Sequence, residues 1–426
     1  MSGPTLHIDV HHITRVEGHG NIRVDIDDGE IKKIEWQIPE SPRFFEAMVI
    51  GRHYTEVAPI VSRICGICSI SHTFSSLQAT EEALGVTISE ETEALRRILL
   101  WAEILQSHVL HIGYLAAPDF FKVNSVLPLI ATHKETVLLI IKLHRLANET
   151  ADLIGGRTTH PIRTMVGGWT MVPKRKELET LRARFEEGVD DTKKLAAVVA
   201  SLSPAIPDFS RETEYICLTE PDSYAHYRGM IKSSDAGNAI PLSDYRRVTN
   251  EYIVAQSTAK WAKFNRDSYM VGALARFNNN HEALTPAARS VAEQLGLRSP
   301  HFNPYFNTLA QVVECTHALE MCADLAGRLI DTGLTGENTP VRLREGRGVG
   351  AVEAPRGILF HEYGYDDRGI CRSANCIIPT NQNHANIQHD MEKLVPLFKD
   401  FGKERLQFAL EMLVRAYDPC ISCSAH

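Results

Sequence analysis

The chain has 426 residues, enough for one large core or for two or three modest domains. Its 45 Lys and Arg against 53 Asp and Glu leave a formal net charge of −8, which argues against a nucleic-acid binder with a basic stripe. The stretch from Met1 to Thr14 has neither the basic start nor the apolar run of an export signal, so a cytoplasmic location is expected, or export only with a partner that carries the signal, and the cysteines are expected to be reduced and open to metal or redox chemistry.

The first elements read as β. Ile22, Val24 and Ile26 alternate, Asp27-Asp28-Gly29 makes a turn, and Ile31, Ile34 and Trp36 continue beyond it. From Glu91 the period changes: Leu95, Ile98, Leu99, Ala102, Leu105, Val109 and Ile112 recur at helical spacing. Val137 to Ile141 is the most apolar stretch, but Lys134, Glu135 and Lys142 bound it, far short of a membrane span. Further helices are expected over residues 134–154, 175–201, 244–265, 286–296, 308–333 and 386–416. The basic run Lys174-Arg175-Lys176, followed by Glu177 and Glu179, reads as a solvated helix start. Gly346-Arg347-Gly348-Val349-Gly350 lacks the dinucleotide-binding spacing and is expected to be a loop. A second β patch is expected near 357–379, around the turn Asp366-Asp367-Arg368-Gly369. The weakest seams are the Pro-rich stretch 203–222 and the segment 334–355.

The expected fold class is therefore α+β, predominantly α: a large buried helical bundle with small antiparallel β attachments. The whole chain, 1–426, is expected to form one unit. It comprises a β segment over about 5–40, a helical body over about 90–335, a β segment over about 355–380, and a final helix with a metal motif over 386–426.

Two Cys-x-x-Cys pairs stand out, Cys65-Gly66-Ile67-Cys68 and Cys420-Ile421-Ser422-Cys423. Two intervening residues let both sulfurs of a pair reach one soft metal, and Gly66 is expected to permit the tight turn. Spacing alone leaves a structural zinc site, a disulfide and a redox metal site open. The pairs lie near opposite ends of the chain, unlike a zinc ribbon. Each is followed by a histidine, His72 and His426. Cys217, Cys315, Cys322, Cys371 and Cys376 form no cluster motif, and Cys315 and Cys322 read as core residues on one helix face.

Arg63-x-Cys65-Gly66-x-Cys68-x3-His72 and Asp418-Pro419-Cys420-x2-Cys423-x2-His426 resemble the two signature motifs of nickel–iron hydrogenase large subunits. Other segments similar to that family fall between them in order: Arg15-Val16-Glu17-Gly18-His19, Arg43-Phe44-Phe45-Glu46, Glu353-Ala354-Pro355-Arg356-Gly357 and Pro379-Thr380. The resemblance implies a catalytic subunit that cleaves dihydrogen reversibly and heterolytically. It implies Cys65 and Cys420 as terminal nickel ligands, with Cys68 and Cys423 bridging to an iron that carries carbon monoxide and two cyanides. Arg356 would stand over the metals as base and cyanide hydrogen-bond donor, oriented by Asp418, and Thr380 would serve the other cyanide. His72 would donate to a bridging sulfur, and Glu17 would gate protons. Glu46, His426 and the carbonyl near Cys376 would hold a structural magnesium.

The resemblance also implies an iron–sulfur small subunit, since this sequence has no cluster motif of its own. Further diaphorase-type or electron-transfer subunits would pass electrons on to NAD(P), a deazaflavin or a similar soluble acceptor. No membrane insertion is expected, and a protease would trim the precursor after His426. One departure is Ser107, where the membrane-bound branch has an aspartate. A relative that kept the fold but lost its nickel, and an unrelated zinc protein, are the alternatives. Retention of all four cysteines and Arg356 argues against the former.

Overall fold

The computed structural model describes residues 4–426. The alternating N-terminal residues form β1 (Leu6–Val10), β2 (Asn21–Asp27) and β3 (Glu30–Gln37), an antiparallel sheet in that order. Asp28 and Gly29 both take positive φ, 47° and 79°, as a tight hairpin turn requires. The sheet docks on the rest of the chain through buried Trp36, whose indole N–H donates to His384 Nδ1 at 3.0 Å.

Helices then appear where periodicity predicts none: Phe45–Val49, Tyr54–Val61 and α1 (Ser69–Leu84). The last is buried almost throughout and rich in Ser and Thr, so no polar face marks its period. Next comes α2 (Glu90–Leu110), capped by Ser89, whose hydroxyl accepts from the Thr92 N–H, with Glu90, Glu91 and Glu93 in its first turn. The helical run from Glu90 to Phe120 is long and apolar enough to cross a membrane, more so than the Val137–Ile141 stretch. It packs inside the molecule instead, with 78% of its most apolar window buried.

Two further helices, α3 (Lys134–Gly155) and α4 (Arg175–Leu202), pack against this core. The α4 start lies at the solvated position the charge pattern suggested, and the structure adds a cap: the Glu177 carboxylate accepts from the Lys174 N–H at 2.7 Å. The helix expected over 244–265 is not formed. That segment holds one helical turn, Tyr245–Val248, then a hairpin of Asn250–Tyr252 with Trp261–Lys263. Its β-branched and aromatic residues suit strands, and Ile253, an apolar match to a helical pattern, is 84% exposed. The stretch 203–222, read as a seam, contains the strand Glu214–Thr219. Beyond it, α5 (Asn307–Thr332) runs through the centre, with Cys315 and Cys322 in the core.

The Gly-rich segment is a strand rather than a loop. It forms β4 (Gly346–Ala354), paired antiparallel with β5 (Gly357–Tyr365), which in turn pairs with β6 (Cys371–Ile377). Gly346, Gly348 and Gly350 face α1, where a Cβ would lie 2.1, 2.2 and 2.0 Å from the carbonyl oxygens of Ala83, Ala79 and Ser75. Glycine at period two matches a helix at period four, so strand and helix meet backbone to backbone. Ser75 Oγ secures the contact by donating to the Gly350 carbonyl at 2.9 Å. The sheet carrying Arg356 and Cys376 is thereby held against the helix that begins after Cys68. The helix expected over 386–416 starts earlier and is two helices, α6 (Pro379–Phe398) and α7 (Lys403–Ala416), broken at Gly402 with φ 89°.

Candidate metal centre

Cys65 ends a 3-10 turn, Ser62–Ile64, and Cys68 is the N-cap of α1. Cys65 Sγ accepts from the N–H groups of Ile67 and Cys68 at 3.2 and 3.1 Å. Gly66 takes no positive φ, and a Cβ there would meet open space. The turn therefore does not need the glycine that was expected to permit it.

The second pair arrives from the far end of the chain. Glu17 forms a parallel bridge with Cys420, and its carbonyl accepts from the Ile421 N–H at 2.9 Å. Thr380, in the first turn of α6, accepts from the Cys420 N–H at 2.9 Å. All four sulfurs lie within 4.8 Å of one another, and all four residues are buried. Cys65 Sγ is 3.6 Å from Cys420 Sγ, and the Cys420 and Cys423 sulfurs lie in direct contact. A buried set of sulfur donors, with no oxygen or nitrogen ligand among them, fits a soft metal that changes oxidation state.

Arg356 stands at the β4–β5 turn, 3% exposed. Its Nε donates to the Asp418 carbonyl at 2.6 Å and its Nη2 to Asp418 Oδ1 at 2.8 Å, while Nη1 lies 3.5 Å from Ser107 Oγ. Burial works against its charge, but Asp418, Cys68 and Cys65 outweigh burial and push its pKa above the usual guanidinium value. Asp418 itself takes a left-handed φ of 50°, which aims carbonyl and carboxylate at the same guanidinium. Its other oxygen accepts from Gln311 Nε2 at 3.1 Å.

The Glu17 carboxylate is half-buried and accepts from the Ser422 N–H at 3.1 Å and from the Ser422 hydroxyl. Gly18, with φ 84°, could not carry a Cβ, which would fall 2.5 Å from the Ser422 nitrogen. His72 lies one helical turn after Cys68, fully buried. Its Nδ1 is 3.0 Å from His361 Nε2, and its Nε2 has no hydrogen-bond partner among the described residues. Burial holds His72 well below the usual imidazole range and His361 down to about 3. Glu46, Cys376 and His426 also meet. Glu46 Oε1 accepts from the Cys376 N–H at 2.7 Å and lies 3.8 Å from His426 Nε2, which is 2.9 Å from the Cys376 carbonyl. Burial alone would raise the Glu46 pKa, but His426 and the Cys376 N–H bring it below the carboxylate norm.

A model of the nickel-dependent hydrogenase family matches residues 43–137 and 216–426, and a HoxL-like model matches residues 7–40. The chain belongs to the nickel-dependent hydrogenases. It is 33% identical over 430 residues to the alpha chain of sulfhydrogenase 1 from Pyrococcus furiosus, covering 100% of this chain and 99% of that one. It is 30% identical to a chain of the F420-non-reducing hydrogenase from Methanothermobacter thermautotrophicus, covering 97% and 93%. The crystal structure of an NAD+-reducing [NiFe]-hydrogenase in the H2-reduced state superposes with a TM-score of 0.91 at 28% identity, over 99% and 100% of the two chains. This chain is the catalytic large subunit of a nickel–iron hydrogenase, and its mostly helical α+β fold is that of the family.

Several hydrogenase residues around the centre carry no sequence signal of their own. Glu103, 1% exposed on α2, accepts from the N–H groups of Ile70 and Ser71 at 2.7 and 2.9 Å, closing the open end of α1 directly after Cys68. Burial raises its pKa to about 8. Buried Arg276 donates to Glu314, to Glu353 and to the carbonyls of Ala354 and Pro355, so it seats the peptide leading into Arg356. His361 and Gln311 complete the set. No local motif marks them, because each acts across a long sequence separation. In the sequence, only the Ser, Thr, His and Glu content of the segments that become α1, α2 and α5 could have pointed to a polar interior.

Proposed function

We propose that this subunit performs reversible heterolytic cleavage of dihydrogen to two protons and two electrons at a nickel–iron pair held by Cys65, Cys68, Cys420 and Cys423. The observation that carries this reading is the convergence of four buried sulfurs from the two ends of the chain beneath a buried, carboxylate-paired arginine. That convergence also supports treating residues 1–426 as one functional unit.

When bound, the metal pair supplies a soft, redox-active centre that polarises dihydrogen and takes up its electrons. Cys65, Cys68, Cys420 and Cys423 would hold it, Cys65 and Cys420 serving nickel alone and Cys68 and Cys423 serving nickel together with an iron that would bear carbon monoxide and two cyanides. Arg356 holds a fixed positive charge over the sulfurs. Its pairing with Asp418 favours donation to a cyanide over service as a base. Thr380 receives the Cys420 N–H on its oxygen and keeps its own O–H for the other cyanide. Glu17, bonded to Ser422 beside Cys420 and half-exposed to solvent, takes the proton outward. Glu46, the Cys376 carbonyl and His426 provide a carboxylate, a carbonyl and an imidazole for a structural magnesium.

Electrons leave through an iron–sulfur small subunit, in keeping with the relatives being named as single subunits of larger enzymes. Further electron-transfer subunits then deliver them to a soluble nicotinamide, deazaflavin or similar acceptor in the cytoplasm. Purification of the intact complex, with elemental analysis and infrared spectroscopy, tests this reading. Nickel, iron and sharp carbon monoxide and cyanide bands are expected, together with dihydrogen-dependent reduction of a soluble acceptor. Zinc alone in the four-cysteine site would overturn it.

A further inference from the structure

We propose that His361, with Tyr363 behind it, is a positioning residue that sets the tautomer of His72, so that His72 Nε2 carries its proton and presents it to the sulfur cluster. The inference rests on the reading of the four cysteines as nickel–iron ligands and of His72 as a donor toward them.

His72 follows Cys68 by one turn of α1, and a long side chain on a helix leans back over the turn before it. The ring is fully buried, and its Nε2 meets no nitrogen, oxygen or sulfur partner within hydrogen-bonding geometry among the described residues. Its other nitrogen, Nδ1, lies 3.0 Å from His361 Nε2, and His361 Nδ1 lies 2.5 Å from the Tyr363 hydroxyl. His361 is itself fully buried on β5, between Gly350 on one side and Cys376 on the other. The glycine face of β4 holds that sheet against α1, and Ser75 Oγ reaches carbonyls on both β4 and β5. The two rings are therefore held at a fixed separation.

A neutral imidazole has one N–H and one bare nitrogen, so two facing rings must be one donor and one acceptor. Two arrangements satisfy the Tyr363–His361–His72 chain, and Cys376 Sγ, 3.6 Å from the same His361 Nδ1, can join either as a weak donor or acceptor. In the first, the Tyr363 O–H donates to His361 Nδ1, His361 Nε2–H donates to His72 Nδ1, and His72 Nε2 bears a proton. In the second, every bond reverses, and His72 Nε2 presents a lone pair. A phenol is a better acid than a neutral imidazole and an imidazole nitrogen a better base than a phenol oxygen, so the O–H···N direction is favoured at the Tyr363–His361 contact. The hydroxyl of Tyr363, a willing donor, starts the chain in that direction. His361 thereby decides whether His72 offers the sulfurs a proton or a lone pair.

The test uses the full-length chain loaded with zinc, a diamagnetic ion that keeps the four sulfurs as thiolates, and histidine labelled with nitrogen-15. The ring nitrogens of His72 should report the Nε2–H tautomer. His361→Leu should shift that signal toward the Nδ1–H form, and His361→Gln, whose amide can still donate to Nδ1, should restore it. In the intact complex, losing the donor leaves the thiolates more electron-rich. The carbon monoxide band should then move to lower wavenumber in His361→Leu and return in His361→Gln, at unchanged nickel content. A wild-type His72 in the Nδ1–H form overturns the proposal without any variant. A band that moves in His72→Leu but not in His361→Leu overturns it while leaving the role of His72 intact. A band unmoved in both overturns the role of His72 as well.

Discussion

The two cysteine pairs share a spacing and differ in what holds them. The first is largely local: Cys65 Sγ takes its N–H donors from Ile67 and Cys68, and α1 starts at once from Cys68. The second is clamped by remote segments. Thr380 accepts from the Cys420 N–H, Glu17 binds Ile421 and Ser422, Arg43 Nη2 donates to the Ser422 carbonyl at 2.6 Å, and Asn381 donates to that of Ser424 at 2.9 Å. A turn of four residues can specify its own shape, whereas a segment that hangs on distant partners closes only when they are in place. Glu103, and Arg43 through the Ile64 carbonyl at 2.8 Å, reach the first pair too, so damage at remote positions should fall more heavily on the second pair than on the first.

The contrast vanishes at the sulfurs themselves, where the largest effect is expected. Cys65→Ser and Cys420→Ser should each abolish dihydrogen turnover, because a hard hydroxyl does not replace a soft thiolate. Nickel content and turnover measured together check this, and near-normal values for either variant would remove that cysteine from the ligand set. Glu17→Gln should eliminate net dihydrogen oxidation yet leave spin-isomer conversion at the metals, since a carboxamide keeps a hydrogen-bonding group beside Ser422 but relays no proton. Normal steady-state oxidation would point to another exit.

Arg356→Lys should retain metals and fold while lowering turnover by roughly two orders of magnitude, the scale on which a lost charge-stabilising donor is felt. Lysine cannot reach the Asp418 carbonyl and carboxylate as a planar fork does. Unchanged turnover would reduce Arg356 to a structural role.

Two glycines give the sharpest contrast at the smallest scale. Gly18→Ala would put a Cβ 2.5 Å from the Ser422 nitrogen at a left-handed position, so a stability loss of about 1–3 kcal/mol is expected. It should appear as earlier thermal inactivation and lower nickel retention. Gly66→Ala, inside the first motif, meets open space at an ordinary φ and should change stability by no more than ~0.5 kcal/mol. Equal effects of the two would erase the distinction between a self-sufficient and a clamped pair.

Much was legible in the sequence. Period-two alternation located β2 and β3, helical periodicity located α2 to α5, and the cysteine spacing with its flanking residues identified the family. These features are written in neighbouring residues and survive without a partner. Tertiary structure decided the rest. Gly346, Gly348 and Gly350 look like a loop until Ser75, Ala79 and Ala83 stand against them, because absence of a side chain becomes information only when another backbone occupies the space. The 244–265 segment carries a helical pattern that the packing did not use, since strand pairing satisfied its backbone and left Ile253 in solvent. His361, Glu103 and Arg276 have no motif, for each answers a group far away in the chain: a ring nitrogen, a helix end, a carbonyl. The sequence by itself determined which atoms could hold the metals. The way those atoms are oriented, charged and kept from water was decided only by the fold, since hydrogen bonds and burial depend on what lies across the gap rather than along the chain.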